Sequence, residues 1–291
     1  MDREAADIYL IGHSHIVAML DAVTNWRDKI DKEPTQDSRF GTVFQAWFTD
    51  AITPNSFQAR IVDETLTMEV VEAWAISATT GIGALATIRK DSGKELQVLG
   101  NRKFLDILKT WNGLTPIVSM LRGNELSKMM LGNLPEYDFL DCEISQICKN
   151  SPLVDEVFID ALVDEKIFRV CDELLAIRTL VQNDLIHILP PPPREHPNSS
   201  VHFEALGDLI SKHGFISDNL RLKWYRRYCR NMTRRLEAIG CHVLPAPTEC
   251  CNSIGLLKEE FSEGLTHGNW RYGILVAKQL DRFLPTLENR Q

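Results

Sequence analysis

Three side chains stand where acyl-transfer chemistry would need them. Ser14 lies in Gly12-His13-Ser14-His15, directly after a short apolar run, residues 7–12. A free serine hydroxyl hardly ionises at neutral pH, so a nucleophilic Ser14 needs a base. His267, in the polar segment Thr266-His267-Gly268-Asn269, is the candidate base. The reaction also needs donors aimed at the oxygen that becomes negative. The backbone N–H of Ser14 supplies one, and the side-chain amide of Asn124, in residues 121–126 (LRGNEL), a second. Gly100, in LQVLGNRKF, is the candidate third donor, with Gly83 as second choice. Each has a plainer use alone: serine at a strand–helix junction caps the helix, and asparagine after a strand bonds its own backbone. Their joint occurrence favours the chemical reading.

The elements that must position these residues alternate along the chain. Residues 7–12 read as a strand, and residues 16–26 have helical spacing at Ile16, Met19, Leu20 and Val23. Residues 65–77 are β-rich, 102–111 form a compact helix, and 114–121 a buried strand. A long helix is expected over about 155–182, then a strand at 184–190 stopped by the four prolines 190–193. The clearest helix runs from Asp218 to Ile239, with Tyr225, Tyr228, Met232, Leu236 and Ile239 on one stripe. Ser217 or Asp218 would cap it and Gly240 end it. A strand at 241–247 and a closing helix at 271–284 follow. Such alternation predicts an α/β fold, a parallel sheet covered by helices on both faces. One domain, 1–291, is expected, with insertions near 27–64, 125–154 and 191–217, where the pattern is weak. Ligands of open parallel sheets bind at the carboxyl ends of the strands. The Ser14 turn, residues 121–126, the prolines and residues 263–273 would all reach that edge.

Hydrophobic residues at 44% and charged ones at 25% describe a soluble globular chain. A net charge of -8 argues against a general nucleic-acid binder. No apolar stretch is long enough to cross a bilayer, and the acidic start MDREAAD does not read as a secretory signal, so a cytoplasmic location is expected. Seven cysteines form no CxxC pair, which speaks for reduced thiols and against structural zinc; Cys250 and Cys251 read as loop packing. His13 and His15 have no third ligand nearby, so no metal is expected, and His15 stands as a candidate substrate contact. His187 reads as a core histidine. Arg226, Arg227, Arg230, Arg234 and Arg235 read as a solvated helix face, the alternative being a seat for an anionic glycan or acidic partner. Arg122 is a candidate contact for an anionic substrate group, or a partner for Glu125.

Gly12-His13-Ser14-His15 after the first strand, Gly123-Asn124-Glu125 after the third and THGNWRYG near the end resemble the conserved blocks of SGNH (GDSL-like) hydrolases. The resemblance implies a three-layer α/β/α sandwich with a flavodoxin-like sheet. It also implies a serine esterase, with Ser14 as nucleophile, His267 as base, and Ser14, a glycine and Asn124 as oxyanion donors. The blocks depart from the family pattern at four places. His13 takes the acidic position of the first block, Arg122 replaces a glycine, and Glu125 replaces an aspartate. In the last block, D-x-x-H, Gly264 stands where the aspartate belongs, and the nearest acid is Glu263, one place earlier. That acid normally holds the imidazole tautomer; in the chymotrypsin-type case its replacement by the amide costs about 10⁴ in kcat.

The expected activity is hydrolysis of an acyl ester, a carbohydrate O-acetyl group being one class, through a Ser14 acyl-enzyme and without a cofactor. The partner is thus a small-molecule or carbohydrate ester. The alternatives are a catalytically impaired module that binds a glycan or a partner protein, and an acyltransferase. The segments 125–154 and 191–217 would set specificity.

Overall fold

Ile8, Tyr9, Leu10 and Ile11 are all buried, so the first strand, β1 (Ile8–Gly12), has to be covered on both faces. The structure, a computed structural model, describes residues 8–12, 15, 18–19, 43–48, 56–62, 66–72, 86–90, 96–100, 102–110, 113, 115–121, 125, 130, 137–147, 151–195, 214–263 and 267–288. In chain order, β1 is followed by β2 (Val43–Phe48), β3 (Ser56–Val62), β4 (Leu66–Glu72), β5 (Ala86–Lys90), β6 (Leu96–Gly100) and α1 (Arg102–Thr110). Then come β7 (Ile117–Met120), α2 (Glu156–Leu180), β8 (Leu185–Ile188), α3 (Asp218–Glu237) and β9 (Cys241–Leu244). A two-residue pair, β10 (Ser262–Glu263) and β11 (His267–Gly268), precedes α4 (Trp270–Glu288).

The main sheet has the order β2-β3-β4-β1-β7-β8-β9. From β4 to β9 all neighbours are parallel. Counting only those five in chain order gives 2-1-3-4-5, the flavodoxin-like order. Strand parity separates two cores. Tyr9, Ile11, Ile117, Leu185 and Cys241 pack with Phe104 and Leu108 of α1 and the buried stripes of α2 and α3. Ile8, Leu10, Val118, Ile186 and Leu244 pack on the opposite face with Ala18, Met19 and the α4 residues Tyr272, Val276 and Leu280. The result is the expected three-layer α/β/α sandwich.

Two regions differ from the sequence reading. Residues 43–62, inside a stretch read as patternless, form β2 and β3, which extend the sheet antiparallel beyond β4. Strands β5 and β6 pair antiparallel as a separate two-stranded sheet, with Ile88 and Val98 packed on the α2 side. Antiparallel pairs of this kind draw on backbone hydrogen bonding and need no continuous apolar run, the signal that revealed the parallel strands.

The arginines of α3 differ more. Arg227 is buried and Arg226 and Arg235 are half-buried, while Arg230 and Arg234 stay exposed as a solvated face would be, and all five pair with the chain's own carboxylates. Arg227, 2% exposed, pairs with Glu156 and Asp160 of α2, each at 3.2 Å. Arg234 and Arg235 share Asp164 at 3.5 and 2.5 Å, and the hydrogen bond from Arg235, with the charge of both, holds the Asp164 carboxyl below its usual range. Arg226 and Arg230 reach Asp141 at 3.6 and 3.9 Å. Beside them Lys223 is fully buried, donating to Asp138 Oδ1 at 2.9 Å and to the carbonyls of Phe139 and Gln146 at 3.0 and 2.7 Å. Thus residues 137–147, part of an expected insertion, are clamped onto α3. Ser217 does cap this helix, accepting from Leu220 N, and Gly240 follows with φ 74°.

His187 is a core residue, with Nδ1 3.2 Å from Ser119 Oγ; burial pushes its pKa down to about 4. Cys250 is buried, donates to the Pro247 carbonyl at 2.8 Å and lies 3.9 Å from Cys251 Sγ. Among the described residues no helix is long and apolar enough to cross a membrane, and no three His, Cys, Asp or Glu cluster to hold a metal ion.

Candidate active site

The carboxyl edge of the sheet gathers the polar loops by register. Gly12 at the end of β1 pairs with Met120 at the end of β7. The chain therefore leaves the sheet toward Ser14 and toward Asn124 from adjacent positions, about 4.8 Å apart as neighbouring strands are. Ser14, Arg122, Asn124, His13 and Gly83 lie outside the described residues. Their near neighbours do not. Glu125, next to Asn124, accepts from the Tyr228 hydroxyl of α3 at 3.3 Å, tying the loop after β7 to the clamped helix. That contact was not anticipated, although the buried stripe of α3 had put Tyr228 on the inward face.

The other end of the chain reaches the same edge through α4. Asn269 is its N-cap, with Oδ1 accepting from Arg271 N at 2.9 Å and Tyr272 N at 3.4 Å. Its Nδ2 donates to the Glu260 carbonyl at 2.8 Å, and its N–H to the Phe261 carbonyl at 2.9 Å, so the cap also fixes the preceding ribbon. Gly268 admits the Tyr272 ring: a Cβ there would lie 2.8 Å from Tyr272 Cβ and closer still to the ring. Gly273 lets α4 touch the helical residues Ala18 and Met19, since a Cβ would lie 2.9 Å from Met19 Cα and collide with the Ala18 carbonyl. The segment His-Gly-Asn-Trp-Arg-Tyr-Gly is thus a docking device that carries a histidine at its tip.

That histidine meets the first loop. His267 and His15 stack, with ring centroids 4.9 Å apart and planes 30° from parallel. His15, expected as a substrate contact, is 3% exposed. Its position could have been read from spacing: His15, Ala18 and Met19 stand at i, i+3 and i+4, and both partners are buried on the α4 side. His267 is half-buried, and that burial holds its pKa below the ordinary histidine value. The ring is consequently a neutral acceptor at pH 7, the form a general base needs.

Glu263 stands directly opposite His267 in the β10–β11 ribbon. Opposed residues on an antiparallel pair share a face, with Cβ atoms about 4.5–5.5 Å apart. Four positions apart in sequence, the two are cross-strand neighbours by register. The carboxylate is exposed. Gly100 closes β6 and precedes α1 by one residue. Because α1 feeds the amino end of β7, its own start faces the carboxyl edge.

No protein-family model matches the chain, and no curated protein matches it. Among solved structures, one described as a candidate platelet activating factor from Streptococcus pneumonia is similar over 98% of this chain and 86% of its own. The identity is 10% and the TM-score 0.45. What this chain does has to be argued from its own residues.

Proposed function

We propose that the protein is a serine ester hydrolase of SGNH type, acting on an acyl ester such as a carbohydrate O-acetyl group. The observation that carries this reading is the His15–His267 stack, which joins the loop after β1 to the loop before α4. His15 is the next residue after Ser14, so the base stands against the peptide neighbour of the nucleophile.

In the proposed cycle, Ser14 Oγ attacks the ester carbonyl as its proton passes to His267. The Ser14 N–H, the Asn124 amide and the Gly100 N–H stabilise the oxyanion. His267 then protonates the departing alkoxide, and later takes a proton from the water that hydrolyses the acyl-enzyme. Glu263, across the ribbon and one methylene longer than aspartate, orients the imidazole in place of the residue lost at Gly264. Arg122 contacts an anionic group on the substrate. No cofactor takes part in these steps.

A second reading, a module of the same fold that binds a glycan without turnover, is favoured by the exposure of Glu263, since a solvated carboxylate orients a ring weakly. Labelling with a fluorophosphonate separates the two. The hydrolase reading expects one equivalent bound at Ser14, lost in Ser14→Ala and in His267→Ala. A folded wild-type protein that takes up no label would favour the binding module.

A further inference from the structure

We propose that His15 is a positioning residue whose aromatic face is the platform that holds the His267 ring in the orientation for accepting the Ser14 proton. This rests on the reading of His267 as the base. A general base works only if its acceptor nitrogen points at the hydroxyl, and a misplacement of 1 Å can cost about 10² in rate. In a triad, that orientation comes from a carboxylate on the far nitrogen. Here the aspartate position is Gly264, and the remaining acid, Glu263, is exposed.

The His15 ring supplies a different constraint. It is 3% exposed and lies 4.9 Å from the His267 centroid at 30°. A stacked contact occupies the face of an imidazole and leaves its two nitrogens, which lie in the ring plane, for in-plane hydrogen bonds. The ring is thereby fixed in tilt without either nitrogen being consumed. An aromatic face beside the base also attracts the positive charge that the base gains on taking the proton.

The platform is itself held. Three and four residues on from it, Ala18 and Met19 meet α4 at Gly273, five residues from Gly268 and six from His267. His15 is also the peptide neighbour of Ser14 in the sequence. Consecutive Cα atoms are about 3.8 Å apart, which leaves little freedom between them.

The test uses the full chain, with p-nitrophenyl acetate as substrate and a fluorophosphonate as the label. His15→Ala is expected to lower kcat by about 10- to 100-fold with KM within about threefold, because orientation is lost and binding is not. His15→Phe keeps an aromatic face without ring nitrogens and is expected to restore kcat to within about threefold of wild type. A His15→Ala protein with unchanged kcat would overturn the inference. So would a His15→Phe protein that keeps the wild-type urea midpoint yet is as slow as expected for alanine, since the nitrogens and not the face would then matter. Should the alanine protein fail to fold, the phenylalanine protein decides by the same criterion. Wild-type protein unlabelled at Ser14 would overturn the hydrolase reading together with this inference; labelling at equal rates in wild type and His15→Ala overturns the inference alone.

Discussion

The two faces of the sheet are held by different physics. On the α2–α3 side the packing includes fully buried charge: Arg221, Lys223 and Glu173 are 0% exposed and Asp138 likewise. On the α4 side the buried polar residue among those described is His15, and helix meets helix through glycine at backbone distance. A layer locked by ion pairs has its polar groups engaged with one another. The layer closed by small residues is held instead by apolar packing and by single side-chain bonds to backbone, such as those of Asn269 and Gln279, and its edge carries the stacked histidines. The conspicuous arginine stripe of α3 is paired with carboxylates, and the two stacked histidines stand at the edge where the charge-poor face ends.

Breaking the charged face should have the largest effect. Asp138→Ala leaves Lys223 buried without its carboxylate, and the expected loss is about 3–5 kcal/mol by urea denaturation. Next comes the buried histidine between β7 and β8. The folded pKa of His187 lies below its unfolded value, near 6.5, so the unfolded chain binds the proton more readily. Its contribution is full above about pH 6.5 and is lost as the pH falls toward about 4, amounting to about 3 kcal/mol. Replacing His187 by Gln should flatten the dependence of the urea midpoint on pH across that window.

Gly273→Ala tests the other face. The added Cβ meets the backbone of Ala18 and Met19, and the expected cost is about 1–3 kcal/mol with slower fluorophosphonate labelling, because β11, which carries His267, leads directly into α4. Gly113→Ala, where nothing lies within 4 Å, should change stability by no more than about 0.5 kcal/mol. Between the two glycines stands the α3 cap: Ser217→Ala should cost about 1 kcal/mol and leave labelling unchanged.

The parallel frame was legible in the sequence because its strands are short apolar runs and its helices carry striped periodicity. The positions of β1, β7, β8, β9 and α1 to α4 follow from that pattern to within a few residues. The strands β2 and β3 were not legible, since pairing at a sheet edge leaves no continuous apolar run. The α3 arginines looked solvated because a helical stripe of like charge shows only its own element. The carboxylates that cover it lie elsewhere in the chain, 67 positions away for Asp160 and 85 for Asp138 beside Lys223. In the site, the meeting of His267 with the first loop was expected from strand-edge topology, and His15 was assigned a different task. The place of Glu263 was obscured by counting along the chain, whereas across a ribbon it is register that decides which side chains meet.

The central claim is that the edge joined by the two stacked histidines contains an activated serine. The measurement that tests it most directly is the rate of fluorophosphonate labelling at Ser14 as a function of pH. A base whose pKa burial has lowered must lose its proton before it can act. The labelling rate is therefore expected to rise with pH through a midpoint below 6.5 and to collapse in His267→Gln. Labelling that is absent from the folded protein, or that proceeds equally well in His267→Gln, would contradict the account.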